Sequence, residues 1–79
     1  MTQRFPVDAP IRDVLRALQG LGFVIAREGN HLSLVRENTD GSRTMMTIPN
    51  QRTLKSSTLR TILTQAGISR QDFLGQYRR

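Results

Sequence analysis

The stretch FVIAREGNHLSLVRENTDGSRTMMTIP, residues 23–49, decides the fold because it predicts three consecutive β-strands. Residues 23–27 are rich in β-forming side chains and end at a tight-turn sequence. Residues 31–37 alternate between the two faces expected of a half-buried strand. A strong turn signal at residues 38–41 separates them from a third strand over residues 43–48.

The apolar side chains of the second and third strands predict their register. Pairing Leu32 with Ile48 and Leu34 with Met46 collects four apolar residues on one face of the sheet. The same register places His31 on the opposite face. A slip of one residue would exchange the two faces.

A helix is predicted before these strands. Pro10 suits the first position of a helix, and Asp8 or Ala9 is then the cap residue. Apolar side chains recur at helical spacing up to the stop signal at Gly20 and Gly22; they are Ile11, Val14, Leu15, Leu18 and Leu21.

Two more helices are predicted after the strands. An extended polar loop over residues 50–55 leads to a helix capped by Ser56 or Ser57 and ended by Gly67. A capping-box sequence at residues 69–72 opens a last short helix through Phe73, Leu74 and Tyr77.

The element order indicates an α+β fold: helix, three-stranded antiparallel sheet, helix and a short C-terminal helix. A single three-stranded sheet must cover one face, and amphipathic helices packed on that face would do so. The other face, with His31, then stays open. A length of 79 residues indicates one domain over residues 1–79, with a core of about residues 9–75.

Charge is unevenly distributed along the chain. Residues 1–40 contain five arginines and five acids, whereas residues 41–79 contain seven basic residues and Asp72 alone, so the second half carries the whole net charge of +6. Eleven of the twelve basic residues are arginine, whose planar fork suits phosphate. This pattern favours a nucleic acid or an acidic protein as partner. A solvated face in an arginine-biased composition is the alternative interpretation.

Several classes of protein are disfavoured by composition. The chain has no cysteine and one histidine, so we expect no disulfide, no metal site and no cofactor. Residues 1–7 lack the apolar core of a signal peptide, and no apolar run is long enough to span a bilayer. The sequence therefore predicts a cytoplasmic protein without a membrane partner.

Short motifs occur along both halves of the chain. The first half carries Gly22-Phe23, Arg27 and Gly29-Asn30-His31. The second half carries more specific motifs: Ile48-Pro49, Leu54-Lys55, Thr58-Leu59-Arg60, Ile62-Leu63, Gln65-Ala66-Gly67-Ile68-Ser69 and Phe73-Leu74. Together these motifs resemble those of one family, the HicA toxins of bacterial HicA–HicB toxin–antitoxin systems, over about residues 11–74.

The resemblance implies a fold similar to the double-stranded-RNA-binding domain (dsRBD) and an mRNA-cleaving toxin that acts through a histidine at the position of His31. It also implies a HicB-type antitoxin that masks this site. Two departures stand out. Asn50-Gln51 replaces a stretch that often holds a second histidine in the family, which excludes a histidine acid–base pair, and Ser57 replaces a common glycine.

Candidate site residues follow from the chemistry of metal-independent RNA cleavage. Histidine has an ordinary pKa near 6.5 and suits a general base that takes the proton from the 2′-OH of single-stranded RNA. Cations and backbone amides would stabilise the phosphate, and the RNA-binding candidates are Arg27, Gly29, Asn30, Arg52 and Lys55. The candidate antitoxin interface is His31, Val35, Met45 and Arg60.

Ordinary structural roles are the alternatives for these residues. Asn30 suits a left-handed turn position, Lys55 and Arg52 suit a solvated loop, and Arg60 suits a solvated helix face. The alternatives for the whole protein are an RNA-binding module without catalysis and a decayed toxin that only binds a partner.

Overall fold

The computed structural model describes residues 5–78 and contains eight elements within them. They are β1 (Asp8–Pro10), α1 (Ile11–Gly20), β2 (Val24–Arg27), β3 (His31–Glu37), β4 (Arg43–Pro49), β5 (Thr53–Lys55), α2 (Ser56–Ala66) and α3 (Arg70–Tyr77).

Strands β2, β3 and β4 form one antiparallel sheet in the order β2-β3-β4. Leu32 pairs with Ile48 and Leu34 pairs with Met46, which confirms the predicted register. These four side chains are buried and face the helices. The register also pairs His31 with Pro49 on the opposite face.

The hydrophobic core lies between the sheet and the helices. Its buried residues run from Ala9 to Leu74 and include Phe23, which immediately precedes β2. Helix α2 packs against β4, and α3 packs against α1. The opposite face of the sheet is uncovered within residues 5–78, where Val24 is 59% exposed and Met45 is 74% exposed. The fold is therefore α+β and dsRBD-like, with the helices on one face of the sheet.

The start of α1 differs from the prediction. Asp8 and Ala9 do not cap the helix but belong to β1, which pairs with β5 through Asp8–Lys55 and Ala9–Leu54. Pro10 is the N-cap in an extended conformation (φ −57°, ψ 136°), and the helix begins at Ile11. The fixed φ of proline suits an extended residue as well as a helical one, and pairing with a distant strand selects the extended form.

The interval predicted as a polar loop also differs, because residues 53–55 form β5. A three-residue strand with one buried side chain, Leu54, has too little periodicity to be recognised alone. Its partner β1 lies more than 40 positions earlier in the sequence. Only the tertiary fold brings the two together.

Neither serine caps α2, contrary to the prediction. Lys55 is the N-cap residue, in an extended conformation, and no side chain makes a capping hydrogen bond there. The β1–β5 pairing ends at Lys55 and sets the first residue of the helix, because the backbone N–H of Ser56 donates to the Val7 carbonyl (3.0 Å). The helix ends as predicted, with Gly67 left-handed (φ 71°) and Ile68 N–H donating to the Leu63 carbonyl (2.9 Å).

Helix α3 begins as predicted, at the capping-box sequence. The Ser69 hydroxyl accepts a hydrogen bond from the Asp72 backbone N–H (3.0 Å). Phe73 stands between two other aromatic rings, with centroids 6.0 Å from Phe5 and 5.4 Å from Tyr77. The segment before β1 is thus held against the last helix.

Candidate functional site

His31 is the first residue of β3 and lies on the open face of the sheet. Its side chain is exposed and has no hydrogen-bond partner among residues 5–78. Its strand partner, Pro49, is the last residue of β4, and β2 ends at the same edge with Arg27. The imidazole is therefore accessible to a large ligand at one end of the sheet.

A β-bulge turns Arg27 to the same face as His31. Ile25 pairs with Leu34, but Arg27 pairs with Ser33, so β2 contains one extra residue between them. In an unbroken register Arg27 would be opposite Leu32, on the core face. Ser33 and His31 share a face because they are two residues apart in one strand.

The bulge thus places Arg27 diagonally from His31. Diagonal neighbours in a sheet have backbones roughly 7–8 Å apart, a distance that long side chains cross. Bulges commonly redirect side chains next to active sites. The sequence contains no signal for it, because Ala26 and its neighbours fit a regular strand equally well.

Asn50, from the loop after β4, holds the turn that precedes His31. Its side-chain Nδ2 donates to the Gly29 carbonyl (2.9 Å), and its backbone N–H donates to the Asn30 carbonyl (3.1 Å). The two peptide groups immediately before His31 are therefore both bonded to one residue. From sequence alone, Asn50 stands out only as part of the Asn50-Gln51 departure from the family that the chain resembles.

Gly29 and Asn30 form part of this turn without unusual backbone conformations. Asn30 is not left-handed, because no residue other than glycine has a positive φ within residues 5–78. The left-handed conformation suggested for it is therefore wrong, although Asn30 does lie in the turn. Gly29 also lies outside the left-handed region, and a Cβ there would meet only the His31 carbonyl, at 3.9 Å. Neither space nor conformation requires glycine at this position.

Arg52 and Lys55 lie farther along the chain, at the β1–β5 ribbon. The Arg52 carbonyl accepts a hydrogen bond from the Ile11 N–H (2.9 Å), which fixes its backbone to the start of α1. Arg52 lines a hollow of about 370 Å³ together with Arg12. Lys55 is exposed at the N-terminus of α2. Within residues 5–78 no side-chain hydrogen bond or ion pair joins either residue to the His31 turn.

Arg12 was missed by the sequence reasoning. It lies in the first turn of α1, where a cation opposes the helix dipole. That unfavourable placement was the available signal. The structure brings Arg12 and Arg52 to one surface, whereas their sequence separation hides the association.

The basic candidates are free to meet an anion. Within residues 5–78, ion pairs join Arg16 to Asp13 and Arg43 to Glu37. The second pair lies on the open face, at the end of the sheet away from His31. Arg27, Arg52 and Lys55 have no carboxylate partner within the described part of the chain. The His31 end of the open face therefore carries an uncompensated guanidinium.

The candidate antitoxin residues divide between two surfaces. Val35 and Met45 pair across β3 and β4, and Val24 pairs with Val35, so these three residues form an apolar stripe on the open face. Arg60 lies on α2, across the sheet from the stripe, and lines a separate hollow with Arg70. The apolar stripe and His31 share one face, and Arg60 does not.

Residues 5–78 contain no cluster of three or more His, Cys, Asp or Glu side chains that could hold a metal ion. None of their helices has the length and apolarity required to cross a bilayer.

Comparison with known proteins identifies the family. The family model of the HicA toxin of bacterial toxin–antitoxin systems matches residues 11–68 of the 79-residue chain. The chain belongs to the HicA toxin family. It is accordingly a toxin with an antitoxin partner, of a family of toxin nucleases. A comparison with curated proteins gives no match.

The region that matches the HicA family contains the open face, the His31 turn and Asn50. Strand β1 and helix α3 lie outside it, on either side. These two elements complete the fold of this HicA protein through the β1–β5 pairing and the contact between Phe5 and Phe73.

Proposed function

We propose that this HicA protein is a metal-independent endoribonuclease that cleaves single-stranded mRNA in the cytoplasm, with His31 as the general base. A HicB-type antitoxin neutralises it. The observation that carries the proposal is the position of His31: an exposed imidazole without a protein partner, at the end of an open sheet face to which the β-bulge turns Arg27.

The proposed reaction needs a nucleophile supplied by the substrate. His31 takes the proton from a 2′-OH, and the 2′-oxygen forms a bond to the adjacent phosphorus. The bond from phosphorus to the 5′-oxygen breaks, and that oxygen takes a proton from solvent. One positioned general base accelerates such a step by about 10²–10⁴-fold. DNA is not cut, because it lacks the 2′-OH.

Charge develops on the phosphate oxygens during this reaction. Arg27 is the cation that shares a face with His31, and the backbone amides around Gly29 and Asn30 are the nearby neutral donors. Donors directed at such oxygens contribute about 10²–10³-fold each. Arg52 and Lys55 bind phosphates farther along the RNA, because their surface is separate from the His31 turn.

The HicB-type antitoxin has two surfaces to use. The apolar stripe is an exposed patch of a kind that suits a protein partner better than RNA, and a protein seated there also lies over the face of His31. Arg60 would be contacted by an antitoxin segment that reaches the helix side of the molecule.

Brief expression of the wild type and His31→Ala in a bacterial host tests the proposal. Growth and the integrity of a reporter mRNA are followed, and circular dichroism confirms that both proteins are folded. Arrest with fragmented mRNA for the wild type alone is the expected result. Normal growth and intact mRNA with both proteins would overturn the ribonuclease assignment and leave a binding module or a decayed toxin.

A further inference from the structure

We infer that Asn50 is a positioning residue for His31: its two hydrogen bonds set the turn from which the imidazole is presented. The inference rests on the proposed function, since it names a further residue of the same site. Asn50 itself does not touch the reacting atoms and acts through the backbone of residues 29–31.

The two bonds immobilise two successive peptide groups. The peptide between Gly29 and Asn30 is held through its carbonyl by Asn50 Nδ2 at 2.9 Å. The peptide between Asn30 and His31 is held through its carbonyl by the Asn50 N–H at 3.1 Å. Because a peptide group is planar, fixing both carbonyls restricts the backbone dihedrals between them and the direction in which the His31 Cα–Cβ bond leaves.

The same bonds orient potential donors to phosphate. In a trans peptide the N–H points opposite to the carbonyl. The N–H groups of Asn30 and His31 therefore both point away from Asn50. A loss of the Asn50 side chain would release the first of these peptide groups, while the backbone bond to the Asn30 carbonyl remains.

Asn50 continues the β3–β4 ladder beyond its last pair, His31 with Pro49. Because the Asn50 N–H bonds to the Asn30 carbonyl, His31 and Pro49 form a non-hydrogen-bonded pair, and the N–H that proline lacks is not needed in this ladder. The backbone bond from Asn50 is the next link of the ladder, and its side chain extends the connection one residue farther into the turn. Gly29, Asn30 and Asn50 are all exposed, so this link contributes little to burial of the core.

The opposite end of the same hairpin offers a matched control. Asn38, in the turn between β3 and β4, also uses its side-chain amide across a turn, donating to Ser42 Oγ and Thr44 Oγ1 (3.0 Å each). It lies away from His31, at the end where Glu37 pairs with Arg43. Asn38→Ala removes the same kind of group from the same hairpin without affecting the His31 turn.

The experiment compares wild type, Asn50→Ala, Asn50→Gln and Asn38→Ala in cleavage of a single-stranded RNA. A misplaced catalytic group can reduce a rate by up to about 100-fold. We expect Asn50→Ala to lower kcat at least tenfold with little change in KM, and Asn50→Gln, which keeps the donor, to recover part of the loss. Asn38→Ala should leave kcat unchanged even where it lowers the unfolding free energy.

Amide and imidazole NMR signals provide a readout that does not depend on activity. In Asn50→Ala the signals of Asn30 and His31 should shift and broaden, while signals of the Asn38 turn stay in place. Wild-type kcat in Asn50→Ala, or an equal loss in Asn38→Ala, would overturn the inference. If the wild type itself fails to cleave RNA, the proposed function fails, and unchanged Asn30 and His31 signals in Asn50→Ala then separately overturn the positioning role.

Discussion

Arg27 is paired with Ser33 across β2 and β3, one position away from the partner that an unbroken register would give it. Because neighbouring residues of a strand point to opposite faces, this shift of one position moves Arg27 from the core face of the sheet to the open face. The guanidinium consequently shares a surface with His31 and has no carboxylate partner among the residues that the structure describes. The arrangement leads to the first prediction.

Arg27→Ala is expected to lower the rate of RNA cleavage by 10–100-fold, since it removes a cation directed at the scissile phosphate. The slope of log affinity against log salt should fall by about one unit. Arg43→Ala is the control, because Arg43 is on the same face at the other end and pairs with Glu37. If Arg27→Ala and Arg43→Ala had equal effects, Arg27 would attract RNA only through its general positive charge and would not make a specific contact with the scissile phosphate.

Gly29→Ala is expected to separate stability from activity. The position has room for a Cβ, so alanine should not destabilise the folded protein. It should leave the unfolding free energy unchanged or raise it by about 0.4–1 kcal/mol, because alanine lowers the conformational entropy of the unfolded chain. The methyl group stands where a phosphate approaches the backbone, so cleavage should fall several-fold. Gly75→Ala in α3, also with open space around it, should stabilise the protein without altering cleavage. Undiminished cleavage by Gly29→Ala would show that no ligand approaches this turn.

Adjacent residues of β3 should differ sharply in their contribution to stability. Leu34 is 1% exposed, and Leu34→Ala is expected to reduce the unfolding free energy by about 2–5 kcal/mol. Val35 lies on the open face, so Val35→Ala should change it by less than about 1 kcal/mol. Denaturant titration of both variants measures the difference. Similar losses would mean that the open face is covered in the isolated protein.

The apolar stripe should matter to the antitoxin and not to RNA. Met45→Ser is expected to weaken antitoxin binding at least tenfold, because burial of a methionine side chain contributes about 1.5–3 kcal/mol. Val7→Ser is the control, since Val7 and Met45 are both 74% exposed and Val7 lies outside the stripe. Calorimetric titration with the antitoxin compares the two, and equal affinities would place the interface elsewhere.

Asp40 gives the turn between β3 and β4 a pH dependence. The Ser42 hydroxyl and backbone N–H both donate to its carboxylate and lower the pKa of Asp40. A lowered folded-state pKa adds stability above the unfolded-state pKa, and that stability is lost as pH falls through the folded value. The difference in unfolding free energy between wild type and Asp40→Asn should therefore be present at neutral pH and vanish in acid. A difference that persists unchanged in acid would contradict this assignment.

The strands and helix stripes could be predicted because their signals are local. Alternation along residues 31–37 and the apolar side chains of residues 43–49 determine which face is buried, so the pairing of Leu32 with Ile48 was confirmed. The left-handed Gly67 and the Ser69 cap followed from residue types that suit those conformations. The start of α1 was predicted incorrectly because strand β1 is stabilised by pairing with residues far away in the chain.

The sequence by itself determined the α+β order, the register of β3 and β4, and the exposure of His31, because hydrophobic periodicity and turn chemistry act between near neighbours. The tertiary structure alone decided which groups accompany His31. The β-bulge directs Arg27 to the open face, and Asn50 crosses from the end of β4 to hold the turn before His31. The bulge and the Asn50 bonds both depend on the position at which one strand ends beside another. Almost every residue type has the same backbone N–H and C=O groups, so the sequence does not reveal which of them pair between strands.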